Sequence, residues 1–506
     1  MPLDNHLPFV AFPRLRLERP TVAIVGGGAS GALTAVHLLR RRAPVRIVLV
    51  EERPRLGRGV AYGTTCDAHL LNVPAAGMSA FPDEPNHFLL WAQTRRSDAH
   101  AGSFLPRRLY GEYLEWCLDE EIGNARRRTP FTAVHGRVTG VAAGPGGAGL
   151  RLAGGESLWA TQVVLALGNS AGPALGDAGA GPAEANGRGP IRDAWLPGAV
   201  ASVSRHRPVV LIGTGLTAVD MILSLEESGF RGSIHAVSRR GLLPQAHRPG
   251  SAVGDPTVPA AAVPVPVSVP VGTGPGGDAR QLVGAIRAEV RLAAALGHDW
   301  RAVVDGLRPR TQALWAALPE PERARLARHA LRYWEVHRHR MAPEVAERVE
   351  RLRRSGRLRV TAGHVVSVTA AERGAVVTVR PRGGRAAGAR SNRAEITLEA
   401  GAVIRCTGPR ERLDSVGDPL LDGLFAVGDA CPGPLGLGLA VDGDGRLLDR
   451  AGEPSDALWA IGPLRRGALL ETTAIPEIRQ QAAALAQLLP EAAMAAEMAY
   501  ALEEAL

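Results

Sequence analysis

The feature that most constrains the fold is a glycine-rich turn near the N-terminal end of the chain. Residues 22–25 are apolar, the turn reads Gly26-x-Gly28-x-x-Gly31, and a second apolar run ends on Glu51. A dinucleotide-binding β-α-β unit needs these glycines because the turn is tight, the pyrophosphate approaches the backbone and the helix packs closely on the strand. Glu51 lies about 20 residues after Gly31, where an acid that binds the ribose is expected. The pattern therefore predicts a dinucleotide site.

The same pattern returns in the middle of the chain. An apolar run at 209–212 leads into Gly213-x-Gly215-x-x-Ala218, and a helical pattern and another apolar run follow. The steric reasons for small residues are the same as in the first motif. The sequence therefore predicts a second dinucleotide site, with Thr217 in the first turn of its helix.

The residues that follow this second unit favour one cofactor. The position equivalent to Glu51 holds Ser238, and Arg239 and Arg240 come next. A carboxylate there would repel a 2′-phosphate, whereas serine and arginine bind it. We therefore expect NADPH rather than NADH, with two arginines that merely face solvent as the alternative.

Two further apolar runs end in short glycine turns, at Gly168 and Gly408. Such turns are typical of flavoproteins with two dinucleotide sites, at the points where the chain passes between domains. We expect an α/β fold with two Rossmann-like domains, in which the NAD(P)H domain is inserted into a discontinuous FAD domain and carries a helical insert. The expected bounds are 1–201 and 404–506 for the two parts of the FAD domain, 202–403 for the NADPH domain, 279–354 for the insert, 172–198 for a crossing linker and 248–277 for a proline-rich loop.

Two stretches compete for the segment that closes the FAD domain. Residues 423–430 end in a Gly-Asp pair but lack a following helix, whereas residues 460–464 follow a strand pattern and precede a helix that begins near Pro476. We choose the later stretch, which places Gly462 and Pro463 at the flavin turn and Ile478 on the helix behind it. Because proline replaces the usual aspartate, the ribityl contact is expected from the backbone or from elsewhere.

Composition excludes several function classes. The net charge is +9, but no lysine is present and the arginines are scattered, so nucleic-acid binding is not expected. No two cysteines form a CxxC pair, which disfavours a disulfide reductase and a zinc site. The N-terminal residues lack the apolar core of a signal peptide, and prolines interrupt the apolar stretch at 260–271. We expect a cytoplasmic protein without a membrane span.

The chain resembles the bacterial FAD/NAD(P)-binding family that includes one group of FAD-dependent urate hydroxylases. Matching blocks include VAIVGGGASG, GRGVAYGT, HLLNVPAAGMS, VLIGTGLTAVD, SRRGLLPQAH, YWEVHRHRMAP and LWAIGPLRRG. The resemblance implies FAD near the first motif, with Arg58 and the block from Asn72 to Ser79 near the flavin, and NADPH at the second motif. The residues expected to bind the cofactors are Gly26, Gly28, Ala29, Ser30, Gly31, Glu51, Arg58, Asn72, Ser79, Val138 (through its backbone to adenine), Gly168, Gly213, Gly215, Thr217, Ser238, Arg239, Arg240, Gly408, Gly462, Pro463 and Ile478.

With no redox cysteine pair and no protein nucleophile in a recognisable motif, the flavin is expected to carry the chemistry. The expected reaction is NADPH-dependent hydroxylation of a small polar or heterocyclic substrate by O₂ through a flavin C4a-(hydro)peroxide. The alternatives are a reductase or oxidase that inserts no oxygen and, remotely, a nucleic-acid-binding or scaffolding protein. The protein is expected to be a monomer or a homodimer.

The sequence does not decide which residues assist the flavin. His337 and His339 are two positions apart and do not share a helix face, so no metal site is expected. Arg338 and Arg340 either bind an anionic substrate or the nicotinamide dinucleotide, or form a solvated basic face. The candidates for the flavin pocket are His69, Asn72, Arg338, Arg340, Glu471 and Thr472; loop capping and turn formation are the alternatives for His69, Asn72, Glu471 and Thr472.

Overall fold

The computed structural model describes residues 19–125, 128–169, 189–196, 198–248, 277–382, 394–408, 412–413 and 417–505. The linker predicted at 172–198 and the loop predicted at 248–277 lie mostly outside these residues.

The N-terminal part alternates strands and helices before it forms a small antiparallel sheet. Its elements are β1 (Thr21–Val25), α1 (Ala29–Arg40), β2 (Arg46–Glu51), α2 (Gly59–Tyr62), α3 (His87–Gln93), α4 (Arg107–Ala125), β3 (Phe131–His135), β4 (Val138–Gly144), β5 (Gly147–Leu152), β6 (Ser157–Ala160) and β7 (Gln162–Leu165).

The middle part contains a second alternating unit, a group of helices and a long hairpin. Its elements are β8 (Ile191–Asp193), β9 (Val209–Ile212), α5 (Leu216–Glu227), β10 (Ile234–Ser238), α6 (Ala279–Ala295), α7 (Trp300–Leu307), α8 (Thr311–Ala316), α9 (Glu320–His329), α10 (Leu331–Arg338), α11 (Pro343–Arg354), β11 (Leu358–Ala371), β12 (Gly374–Pro381), β13 (Ile396–Ala400) and β14 (Ala402–Arg405).

The C-terminal part returns to the first unit and ends in a long helix. Its elements are α12 (Pro419–Val427), β15 (Arg446–Leu448), β16 (Pro454–Ala460) and α13 (Ile475–Ala505).

The first sheet has six strands in the order β15-β16-β7-β1-β2-β3. β16, β7, β1, β2 and β3 run parallel, and β15 runs antiparallel at the edge. All residues of β1 are buried, because the sheet has a core on each face, as parallel sheets require. Since β16 comes from the C-terminal part, the first unit is discontinuous in sequence.

The second sheet has seven strands in the order β13-β12-β11-β10-β9-β14-β8. β11, β10, β9, β14 and β8 are parallel, and β12 and β13 are antiparallel. β8 pairs with β14 through Ile191 and Val403. The second sheet therefore begins before residue 202 and continues past residue 403, because its edge strand is supplied by the segment that enters the unit.

Six α-helices, α6 to α11, occupy the range predicted for the helical insert. Asp278 and Asp299 cap α6 and α7 by accepting hydrogen bonds from backbone N–H groups. The insert contacts the C-terminal part of the first unit, where the buried Trp315 indole donates to the Gly467 carbonyl at 2.8 Å. The insert therefore packs against the residues that follow the predicted flavin turn. Within the described ranges, none of the helices combines the length and apolar character needed to cross a membrane.

One buried histidine makes the stability of the first unit depend on pH. His37 on α1 contacts the Ala80 carbonyl through Nε2 at 3.1 Å, and burial lowers its pKa from 6.5 to about 4. The folded state favours the neutral ring, so its contribution is complete above pH 6.5 and is lost as pH falls towards 4. We expect the free energy of unfolding to fall by about 3 kcal/mol over this range because of His37.

Denaturant unfolding at several pH values measures this loss. The His37→Gln variant keeps a donor for the Ala80 carbonyl, and its loss of unfolding free energy between pH 6.5 and 4 should be smaller than that of wild type by the contribution of His37. The control is His135→Gln at an exposed position, which should show the same pH dependence as wild type. Equal pH profiles for all three proteins would refute the assignment.

Candidate active site

The first glycine turn is closed too tightly for any side chain. Gly26 has φ of +102°, and a Cβ atom there would lie 2.5 Å from the Ala166 carbonyl oxygen. A Cβ atom at Gly31 would lie 1.9 Å from the Gly26 carbonyl oxygen. The helix therefore begins directly against the strand, and no side chain caps its N-terminus at Gly28. The free N–H groups of its first turn, including those of Ala29 and Ser30, fit the pyrophosphate of a dinucleotide.

Glu51 lies at the end of β2, beside this turn. Its Oε2 accepts from the Gly27 N–H at 2.6 Å, and its Oε1 accepts from the Arg53 N–H at 2.9 Å. The carboxylate is buried and held at the edge of the turn, where its remaining lone pairs fit a ribose hydroxyl. The Gly136 N–H donates to the Glu51 carbonyl at 2.9 Å, which brings the start of β4, with Val138, to the same edge. This placement fits the expected roles of Glu51 and Val138.

Arg58 and α2 lie beside the first turn, but the Arg58 side chain has a protein partner. Its guanidinium donates to both Glu115 carboxylate oxygens, at 2.8 and 2.6 Å, and these hydrogen bonds raise its pKa. The next glycine, Gly59, covers the helix start, because a Cβ atom at Gly28 would lie 3.5 Å from the Gly59 Cα. The backbone of this segment therefore closes the turn, while Arg58 anchors the segment to α4.

The flavin turn after β16 contacts the same helix start. Gly462 has φ of +70°, and a Cβ atom there would lie 2.5 Å from the Ser30 Oγ. The Gly462 N–H donates to Gln481 Oε1 at 3.0 Å, and its carbonyl accepts from Thr472 Oγ1 at 2.7 Å. Gln481 also donates to Thr472 at 2.9 Å. Thr472 therefore shapes the turn, together with Gln481, a residue that the sequence did not suggest.

Two other expected residues lie near this turn. Pro463 is the second residue of the short 3₁₀ helix Gly462–Arg465, where its missing N–H costs no hydrogen bond. The Ile478 side chain belongs to the core that α1 and α13 share. Both residues support the turn, and a contact of either with the cofactor stays a prediction.

The second glycine turn repeats the geometry of the first. Gly213 has φ of +120°, and a Cβ atom there would lie 2.1 Å from the Cys406 carbonyl oxygen. Cys406 stands two residues before Gly408, just as Ala166 stands two residues before Gly168. In both units the first glycine therefore packs on the chain that leaves a neighbouring parallel strand. Gly215 begins α5 without a side-chain cap, so the second site also fits a pyrophosphate.

Ser238 and the two arginines lie at the end of β10. The Ser238 hydroxyl contacts Thr214 Oγ1 at 2.8 Å and accepts from the Gly241 N–H at 3.0 Å. Arg239 is exposed, whereas Arg240 donates to the carbonyls of Arg328 and His329 at the end of α9, at 2.8 and 3.2 Å. The three residues stay candidates for the 2′-phosphate, with Arg239 as the exposed guanidinium.

Arg338 does not belong to a solvated basic face, and that alternative is wrong. Its side chain is 9% exposed and lies 3.5 Å from Glu471 and 3.6 Å from Glu477. Burial lowers the pKa of its guanidinium, and its Nε and Nη2 atoms make no hydrogen bond within the described residues. Glu471 also accepts from the Trp334 indole at 3.0 Å. Arg338 and Glu471 therefore form a buried charged contact between α10 and the flavin turn.

Arg340 is also buried, so the solvated interpretation is wrong for it as well. Its guanidinium pairs with Asp305 and donates to the His337 carbonyl at 2.8 Å. Burial lowers the pKa of His339, between the two arginines, to about 4. Among the described residues, no group of histidine, cysteine and acidic side chains could hold a metal ion.

His69 and Asn72 lie where the first unit meets the second. His69 Nε2 contacts the Asp220 carbonyl and the Ser224 hydroxyl on α5, at 2.9 and 2.8 Å, and its Nδ1 contacts Thr64. The Asn72 carbonyl accepts from His247 at 3.0 Å. These contacts favour a role in joining the two units, and a catalytic role for either residue stays a prediction.

Ser79 lies beside α13, the helix that follows the flavin turn. It is fully buried, and its carbonyl accepts from Arg479 on α13 at 2.9 Å. The contact ties the segment after Asn72 to the helix that follows the flavin turn, and proximity of Ser79 to the flavin stays a prediction.

The buried contact of Arg338 predicts a stability difference. In Arg338→Leu, Glu471 and Glu477 keep their charges without the buried cation, so we expect the free energy of unfolding to fall by about 3 kcal/mol. Arg353→Leu is the matched control, because its pair with Glu350 is exposed and contributes less than about 1 kcal/mol. Denaturant unfolding of both variants measures the difference, and equal losses would contradict the buried contact.

Comparison with known proteins agrees with this geometry. Residues 23–170 match the model of a family described as FAD-NAD(P)-binding. No curated protein sequence matches the chain.

Solved structures with the same fold include two ornithine hydroxylases and a cadaverine monooxygenase. The ornithine hydroxylase of Pseudomonas aeruginosa is 16% identical, with a TM-score of 0.59 over 94% of this chain and 100% of that chain. The ornithine N-hydroxylase of Kutzneria sp. 744 is 15% identical, with a TM-score of 0.60 over 94% and 99%. The cadaverine monooxygenase of Erwinia amylovora is 11% identical, with a TM-score of 0.60 over 92% and 93%. Residues 23–170 are therefore similar to an FAD-NAD(P)-binding family, and the chain has the two-Rossmann fold of these solved structures.

Proposed function

We propose that the protein is an FAD-dependent, NADPH-consuming monooxygenase that hydroxylates a small polar or heterocyclic substrate. The observation that carries the proposal is the repeated glycine turn, in which Gly26 and Gly213 pack in the same way on Ala166 and Cys406. One turn ends beside a buried acid, Glu51, and the other beside serine and arginine, so the two sites suit different dinucleotides.

The residues of the chain have separate tasks in this reaction. The start of α1 binds the FAD pyrophosphate and Glu51 binds its ribose, while the start of α5 and the end of β10 bind NADPH. FAD, when bound, supplies the redox chemistry that links NADPH oxidation to O₂. The buried contact between Arg338 and Glu471 closes the helical insert over the flavin turn, which excludes water from the reacting groups.

Two observations support the substrate class. The sequence resembles a group that includes FAD-dependent urate hydroxylases, so urate and related heterocycles belong in a substrate screen. The hydroxylases that share the fold act on ornithine and cadaverine, so small amines belong in it as well.

Isotopically labelled O₂ tests the reaction class. Purified, FAD-loaded protein is supplied with NADPH and each candidate compound under labelled O₂, and the products are analysed by mass spectrometry. The proposal expects one labelled oxygen atom in a product, together with substrate-dependent consumption of NADPH. NADPH consumption that yields only hydrogen peroxide or water with every compound would instead support a reductase or oxidase that inserts no oxygen.

We also place the protein in the cytoplasm, as a monomer or a homodimer. The four cysteines are free, which suits a reducing compartment. Fractionation of cells and light scattering on the purified protein test these two points.

A further inference from the structure

The two glycine turns differ in what covers the start of the helix. In the first unit, a Cβ atom at Gly28 would meet the Gly59 backbone. In the second unit, a Cβ atom at Gly215 would lie 3.6 Å from Nη2 and 3.9 Å from Nη1 of Arg332. Apart from the chain neighbours of Gly215, no other described atom lies within 4 Å of that point. A neutral backbone therefore covers the first site, and a cation from α10 covers the second.

The Arg332 guanidinium lies beside groups of the same sign at the start of α5. The first N–H groups of α5 carry a partial positive charge, and Gly215 provides no side chain to cap them. Arg332 pairs with Glu335 at 3.3 Å, but both side chains are partly exposed and belong to one helix, so this pair contributes little. Two adjacent positive groups that face the same space indicate a site for a polyanion.

Contacts on both sides hold α10, the helix that carries Arg332, in place. Glu335 accepts from Arg466, close to the flavin turn, at 2.9 Å. On the other side, Arg240 binds the last carbonyls of α9 and lies 4.9 Å from the centre of the Tyr333 ring. The start of α10 is therefore attached to the second dinucleotide unit, and its later residues are attached to the flavin unit.

We propose that Arg332 binds the pyrophosphate of NADPH, so that the helical insert completes the second dinucleotide site. The inference rests on the proposed function, since it takes NADPH as the ligand of that site. Arg332 would supply paired N–H donors to the pyrophosphate, and the free N–H groups at the start of α5 would supply the others. The site is then shared by the Rossmann unit and the insert.

Ligand binding to FAD-loaded protein tests this assignment. The probes are NADPH and ADP-ribose, which contain a pyrophosphate, and adenosine 2′-monophosphate, which does not. Arg332→Gln should weaken NADPH and ADP-ribose by about 10- to 100-fold, the usual effect of losing a charge-assisted hydrogen bond. It should leave the affinity for adenosine 2′-monophosphate within about twofold of wild type.

The matched control is Arg325→Gln, which removes the same charge from α9, where Arg325 pairs with Glu322. We expect this control to bind all three probes as wild type does. If both variants weaken binding equally, or if Arg332→Gln weakens all three probes alike, Arg332 does not contact the pyrophosphate and the inference is refuted. If wild-type protein binds neither NADPH nor ADP-ribose, the proposed function itself fails and the inference fails with it.

Discussion

Gly31→Ala protein is expected to purify with less than about a tenth of the FAD that wild-type protein carries. The added Cβ atom would lie 1.9 Å from the Gly26 carbonyl oxygen, and that oxygen belongs to rigid backbone beside the buried strand β1. The helix must move away from the strand, so its first N–H groups leave the position that the pyrophosphate requires. Flavin absorbance per protein, measured after release of the cofactor, gives the result.

Gly123→Ala is the control for this substitution. Gly123 also lies inside a helix, α4, but it is exposed, and no described atom outside its own helix lies within 4 Å of the Cβ position. This variant should keep its FAD and gain about 0.5–1 kcal/mol of stability from the better helix propensity of alanine. Normal FAD content in Gly31→Ala would show that the first turn does not bind the cofactor.

Gly213→Ala should impair the use of NADPH without releasing FAD. The Cβ atom would lie 2.1 Å from the Cys406 carbonyl oxygen, and φ of +120° is strained for any side chain. The second turn is disrupted while the first is untouched, so FAD should remain bound. Anaerobic reduction of the flavin by NADPH should slow by about 100-fold or more, equivalent to about 3 kcal/mol.

Gly284→Ala is the matched control for the second unit. Gly284 lies on α6 of the insert, and no described atom comes within 4 Å of its Cβ position. Reduction of this variant should match wild type. A wild-type rate in Gly213→Ala would place the NADPH site elsewhere.

The sequence predicted the structure best at positions where only one residue type fits for steric reasons. Gly26, Gly31 and Gly213 must lack a side chain because backbone atoms fill the space, and such a requirement is visible in the spacing alone. Alternation of apolar runs with helical patterns likewise predicted both Rossmann units and the helical insert. The strand before Pro463 and the helix after it were both recognisable in the sequence, and the contact of this turn with the flavin stays a prediction.

Contacts between distant segments could not be predicted in the same way. In the sequence, Arg338 cannot be distinguished from a surface arginine. In the structure it is buried against Glu471, because α10 packs beside the flavin turn. Gln481 and Arg332 gave no local signal, since their partners lie on other elements.

Rapid-mixing spectroscopy of the flavin, with NADPH and NADH compared under anaerobic conditions, tests the central claim most directly. We expect the purified protein to contain FAD. We also expect NADPH to reduce the flavin at least about 10-fold faster than NADH at equal low concentration, because Ser238 and the neighbouring arginines are the proposed binding site for the 2′-phosphate. Protein that neither retains nor rebinds FAD, or that NADPH fails to reduce, would contradict the account of two dinucleotide sites.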